Sequence, residues 1–225
     1  VHWAALAQRG DASAPSCASC HGNHGATPPQ VSAVTAVCGT CHALMEDLFN
    51  GSPHQPVFKA MGEAGCITCH GNHAVLRPST AWLAAPDGVC SRCHEASSAG
   101  GRTAAQMAAL ITRLSATLDR ATETLARASR SGMEVSEAML RQREAQQTLV
   151  KARVAVHAFR VAAVDEHVEQ GLKLAAETQR AGEAALRERD VRRIGLAISL
   201  VAILITIGGL WLTLRRIERG GAAVR

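Results

Sequence analysis

The sequence predicts a mainly α protein in three parts: a loop-rich head bearing every cysteine, a long helical hairpin or three-helix stalk, and one C-terminal transmembrane helix. Three observations lead there. Ala, Leu and Val carry the 47% apolar content of the 225 residues, while Phe and Trp total six and Tyr is absent, a balance that favours helix over sheet. All seven prolines fall between Pro15 and Pro86, so loops and short elements are expected there and long helices beyond. Ile194–Leu214 is a run of 21 residues without a charge. The resulting division is a head over 1–98, helices over 99–192, a membrane span over 193–215 and a basic tail over 216–225.

The head is an internal duplication. CASCHGNH at 17–24 recurs as CITCHGNH at 66–73, and each copy is followed by a second unit, CGTCH at 38–42 and CSRCH at 90–94. His2 and His54 precede the first cysteine of their repeats by 15 and 12 residues. Each repeat therefore reads His…CxxCHGNH…CxxCH. All eight cysteines belong to these units, with none left over for a disulfide.

Two thiols three apart on a tight turn can each add to one vinyl group of a single haem, and the following histidine then sits under the iron. Structural zinc also uses CxxC pairs, but it needs two pairs per metal and no histidine after each. A thioredoxin-like redox pair would need a βαβ context that the sequence does not offer. Four covalent c-type haems follow, attached at Cys17 and Cys20, Cys38 and Cys41, Cys66 and Cys69, and Cys90 and Cys93. Their proximal ligands are His21, His42, His70 and His94. Fewer than a hundred loop-rich residues bury little apolar surface by themselves, so the porphyrins are expected to supply the core.

Four further histidines lie in the head: His2, His24, His54 and His73. Four haems and four spare histidines suggest bis-histidine coordination, with a surface position or a propionate contact as the alternative for each. His24 and His73 stand three residues after a proximal ligand, on the wrong face of that haem, and would have to reach a different one. Met45 and Met61 do not recur between the repeats and read as packing residues. His157 and His167 read as ordinary helix positions, with a place at a haem edge or near a quinone as the functional alternative.

In the helical part, Met107, Ile111, Leu114, Leu118, Ala121, Leu125 and Ala128 recur at steps of four and three, the seam of packed helices. Arg130-Ser131-Gly132 breaks this pattern. It resumes at Val135, Met139, Leu149, Val156 and Phe159, then continues through Val164, Val168, Leu172 and Leu186, with a soft bend expected near Asp165. The uncharged run spans roughly 31 Å at about 1.5 Å per residue, close to a bilayer's hydrocarbon thickness. Arg192-Arg193 and Arg215-Arg216 flank it.

The paired CxxCHGNH…CxxCH units, with His2-Trp3, CHGNHGATPP and SPHQPVF around them, resemble the doubled-CxxCH modules of multihaem cytochromes c. That resemblance covers residues 1–98. It implies stacked, mostly bis-histidine, low-potential haems and electron transfer, with His24, His54 and His73 among the distal ligands. Covalent haem attachment occurs outside the cytoplasm, so a leader ahead of Val1 is expected. The haem head would then lie in the periplasm of a bacterium, the chain would cross the inner membrane once, and the C-terminal tail would be cytoplasmic.

The expected role is a membrane-anchored electron carrier within a larger respiratory or photosynthetic redox complex, with redox-protein partners and a helix seam open to oligomer formation. A quinol-oxidising subunit is one alternative, although the better-known tetrahaem proteins of that kind carry their membrane helix before the haems. A nitrite- or hydroxylamine-type oxidoreductase would need an open iron. A haem-based sensor would need more than the eleven residues after Leu214, or a separate partner. The formal charge of +5 hides a head with 4 basic against 6 acidic side chains. Without dense Lys/Arg clusters, nucleic-acid binding is set aside.

Overall fold

The computed structural model describes residues 2, 4–24, 34–75 and 77–222. Trp3, Pro28, Pro29 and the last three residues of the basic tail lie outside them. Among the described residues there are helices and turns and no strand. The chain forms two compact units, Val1–Asp119 with Arg143–Ala175, and Arg120–Gln142 with Ala176–Arg225.

In the first unit, the chain ahead of residue 99 makes only short pieces. They are a π-helical turn over Ala4–Gln8, α1 (Cys17–His21), a 3-10 helix over Val34–Thr40, α2 (Ala43–Asn50), α3 (His54–Met61), α4 (Cys66–His70), α5 (Ala81–Ala84) and a 3-10 turn over Cys90–Arg92. Proline sets several of these limits. Pro53 stands at the N-cap of α3 and Pro56 in its first turn, where no backbone N–H is needed. Pro86 stands two residues past the end of α5, and Ala85 before it is extended, as a residue preceding proline prefers.

Three long helices follow: α6 (Ala99–Arg130), α7 (Ser136–Ala155) and α8 (Val161–Ala222). The first turn, at Arg130-Ser131-Gly132, falls where the sequence places it, with Gly132 at φ 77. The second does not. The bend expected near Asp165 lies instead at a 3-10 turn over Val156–Ala158 and at Phe159, whose φ of 50 is left-handed. No glycine or proline marks that corner in the sequence. The helix through the uncharged run is also not separate, because α8 continues unbroken from Val161 to Ala222.

All seven seam residues named for α6 are buried. In the first unit, Met107, Ile111, Leu114 and Leu118 pack with Ala145, Ala152 and Ala155 of α7 and Val164, Val168 and Ala175 of α8, and Leu83 from α5 packs against this cluster. In the second unit, Leu125, Ala128, Val135 and Ala185 form the core. A polar relay crosses it: Thr178 donates to Gln142 Oε1 at 2.6 Å, and Gln142 donates to Thr122 at 2.9 Å. The inward face of α7 is thus Gln142, Ala145, Thr148, Ala152 and Ala155, while Met139 stands on the exposed side. Small residues let neighbouring helices approach, which is why the larger Met139 misleads.

Candidate haem-binding site

Each CxxCH unit is a tight turn that brings its thiols and histidine together, and the duplication repeats in the backbone. In the first unit of each repeat, Gly22 and Gly71 close the turn at φ 70, donating to the Ala18 and Ile67 carbonyls at 2.8 and 2.9 Å. With ψ of −166 and −172, this conformation is essentially open to glycine alone, which is why glycine follows CxxCH in both copies. In the second units, His42 and His94 donate to the Cys38 and Cys90 carbonyls at 2.9 and 3.0 Å.

The four units are spatial neighbours in sequence order. Cys20 lies within electrostatic reach of Cys38 and Cys41, Cys38 within reach of Cys66, and Cys69 within reach of Cys90 and Cys93. Burial first, and these neighbouring thiols second, push Cys20 and Cys69 above the usual thiol range; burial also raises Cys38 and Cys90. Such thiols are the opposite of the depressed thiolates of redox motifs. None of the eight is in a disulfide. Among the described residues, no three His, Cys, Asp or Glu side chains gather as a metal-ion site.

The histidines are arranged in pairs. His42 faces His2 with ring centroids 6.2 Å apart, His21 faces His73 at 5.8 Å, His94 faces His54 at 5.9 Å, and His70 faces His157 at 6.0 Å. Three pairs have nearly parallel planes, at 25°, 17° and 22°, and His94 and His54 stand at 86°. Metal–nitrogen bonds of about 2 Å, with each ring nitrogen about 1 Å from its centroid, put two imidazoles trans on one metal about 6 Å apart. All four pairs have that separation. Desolvation, then the charge of the facing histidine, lowers the pKa of His2, His54 and His70, a shift toward the neutral ring that metal ligation uses.

His24 is exposed in a left-handed turn at φ 55 and makes no ring contact among the described residues. Met61 is 66% exposed rather than packed. His157, read from the sequence as an ordinary helix position, instead stands against His70. His167 is half-buried within α8. His157 interrupts the apolar run Val154-Ala155-Val156-His157-Ala158-Phe159, and a half-buried histidine there calls for a partner; that was the available signal.

The surroundings fit haem in three further ways. Among the described residues, Ala5 and Val37 alone form the buried apolar set ahead of residue 99, so the head does not hold itself together as ordinary cores do. A buried ring nitrogen of His54, Nδ1, has no hydrogen-bond partner. A cleft of about 390 Å³ opens beside His70, lined by Cys69, Trp82, Val89 and Arg92 among others. All three phenylalanines of the protein gather at His54: Phe58 at 5.6 Å and Phe159 at 3.9 Å touch it, and Phe49 meets both of them. At Gly100 in α6, the His94 ring fills the space a Cβ would take, so glycine lets this histidine lie against the helix.

In the second unit, α8 contains a stretch long and apolar enough to cross a membrane, with none of it buried. Its hydroxyls are satisfied within the helix, Ser199, Thr206 and Thr213 donating to the Gly195, Ala202 and Gly209 carbonyls at 2.9 Å. Arg215 lies 4.3 Å over the Trp211 ring.

Residues 11–95 match the cytochrome c3 family. No curated protein and no solved structure matches the chain. The family match and the CxxCH units together support a multihaem c-type cytochrome, with electron transfer rather than catalysis as its chemistry.

Proposed function

We propose that this chain is a membrane-anchored tetrahaem cytochrome c that carries electrons in the periplasm to or from redox-protein partners in a membrane complex. The pairing of histidine rings about 6 Å apart carries this reading. Bound c-type haem supplies one-electron exchange at iron. Cys17 and Cys20, Cys38 and Cys41, Cys66 and Cys69, and Cys90 and Cys93 would hold the four groups through thioether bonds. His21, His42, His70 and His94 would be the proximal ligands. His73, His2 and His54 would cap the irons of His21, His42 and His94.

His73 belongs to the second repeat and faces His21 of the first, so ligation across repeats would fix two attachment turns against each other. The spatial succession of the cysteine pairs supports a continuous path. An iron capped on both sides has no position for nitrite or hydroxylamine, which favours a carrier over an enzyme. The apolar stretch of α8, with Arg192-Arg193 before it and Arg215-Arg216 after it, supports the anchor; Trp211 under Arg215 suits a headgroup boundary.

Low-temperature electron paramagnetic resonance of the oxidised protein, with pyridine-haemochrome counting, tests the reading. Four haems are expected, with low-spin signals from at least the three irons of His21, His42 and His94. A substantial high-spin signal that shifts on adding nitrite or hydroxylamine would replace the carrier by an enzyme. Truncation before Ile194 is expected to release a soluble cytochrome, and continued membrane association would show that something other than α8 holds it.

A further inference from the structure

We propose that His157, at the corner between α7 and α8, is the sixth ligand of the haem attached at Cys66 and Cys69, on the face opposite His70. The inference rests on the four-haem reading and completes it, because that reading leaves one iron without a second histidine.

Three observations converge on His157. Its ring centroid is 6.0 Å from that of His70, with planes 22° apart, matching the pairs that His2 and His73 make with their own partners. Its Nδ1 lies 2.9 Å from the Val154 carbonyl. A carbonyl only accepts, so Nδ1 is the donor in this contact, which leaves Nε2 as the nitrogen placed to bind iron. Ligating histidines are held this way, with the second nitrogen donating to a backbone carbonyl that fixes the tautomer.

The third observation is the corner itself. A phenylalanine at φ 50 is a costly conformation, and Phe159 holds it while its ring packs 3.9 Å from His54 and 6.5 Å from Phe49. Two residues of one turn therefore reach two histidine pairs at once, Phe159 against His54 and His157 against His70. His24, the remaining histidine of the head, is exposed and meets no ring among the described residues.

The test uses the full-length, haem-loaded protein carrying His157→Ala, beside His24→Ala. Mass spectrometry of the peptide with Cys66 and Cys69 scores its haem separately from the total count. The expected result for His157→Ala is retention of that haem, conversion of one of the four low-spin signals to high-spin, and return to low-spin on adding imidazole. His24→Ala should keep all haems low-spin. A His157→Ala protein with every haem still low-spin, or a high-spin haem in His24→Ala alone, would overturn the assignment.

His157→Met guards against a folding artefact: it should keep the iron six-coordinate and raise one reduction potential, since thioether ligation favours ferrous iron. Unchanged potentials would again remove His157. If the wild-type protein lacks one of the other three haems, the four-haem reading falls. The His157 assignment would still stand or fall on the Cys66–Cys69 haem.

Discussion

The chain ahead of residue 99 and the three long helices after it solve the problem of holding a shape in different ways. α6 alone buries Met107, Ile111, Leu114, Leu118, Ala121, Leu125 and Ala128, and hydrophobic burial of such a seam is the ordinary source of stability. The cysteine-bearing segment has Ala5 and Val37 as its described buried apolar residues, and its side chains converge instead as histidine pairs and cysteine turns. The helices are stabilised by residues the gene encodes. On the proposed reading, the head is organised around groups that must be added afterwards.

The most damaging way to probe that contrast is to prevent attachment altogether. With all eight cysteines changed to alanine, the head should lose its order, and trypsin should cut at Lys59 and Arg92 at least about ten times faster, following the local opening free energy. The helices should keep their far-ultraviolet circular dichroism. Equal protease resistance with and without haem would erase the distinction between the two regions.

Leu114→Ala removes a fully buried side chain and should cost about 2–5 kcal/mol, measured by denaturant unfolding of the helices, with the haem count unchanged. A loss below about 1 kcal/mol would mean that the seam is not what holds the helices together. The smallest effect is expected at the surface. Arg113 and Glu169 approach to 3.5 Å with side chains 62% and 59% exposed, so Arg113→Ala should change stability by less than about 1 kcal/mol. A larger loss in the same unfolding measurement would show that the exterior contributes more than its exposure implies.

Legibility followed the same divide, though not perfectly. The seam of α6 stands out because large apolar residues mark it, and the four CxxCH turns stand out because their chemistry demands fixed spacing. α7 was harder. Its inward face uses Gln142, Ala145, Thr148, Ala152 and Ala155, so hydropathy gives no clear stripe and Met139 draws the eye to the wrong side.

The corner at Phe159 was hidden because no turn-forming residue makes it; packing against His54 and Phe49 does. His157 escaped for a related reason. Counting four spare histidines within 1–98 closes the ledger at His24, whereas the facing ring for His70 comes from a helical corner far along the chain. Local repetition reveals attachment sites well, but partners brought in by tertiary folding leave only a faint trace, here a single histidine in an apolar run.

That distance has a consequence for how the protein matures. Local turns can form before contacts between distant parts of a chain close, so Cys66 and Cys69 can take haem before the corner bearing His157 has docked. Joining His70 to His157 also closes a long loop, whose entropy must be met by the bond that closes it. On this assignment, a newly attached haem at Cys66 and Cys69 waits with one face open until the helices have assembled. Its change from five to six ligands would then report that the helical corner has docked on the head.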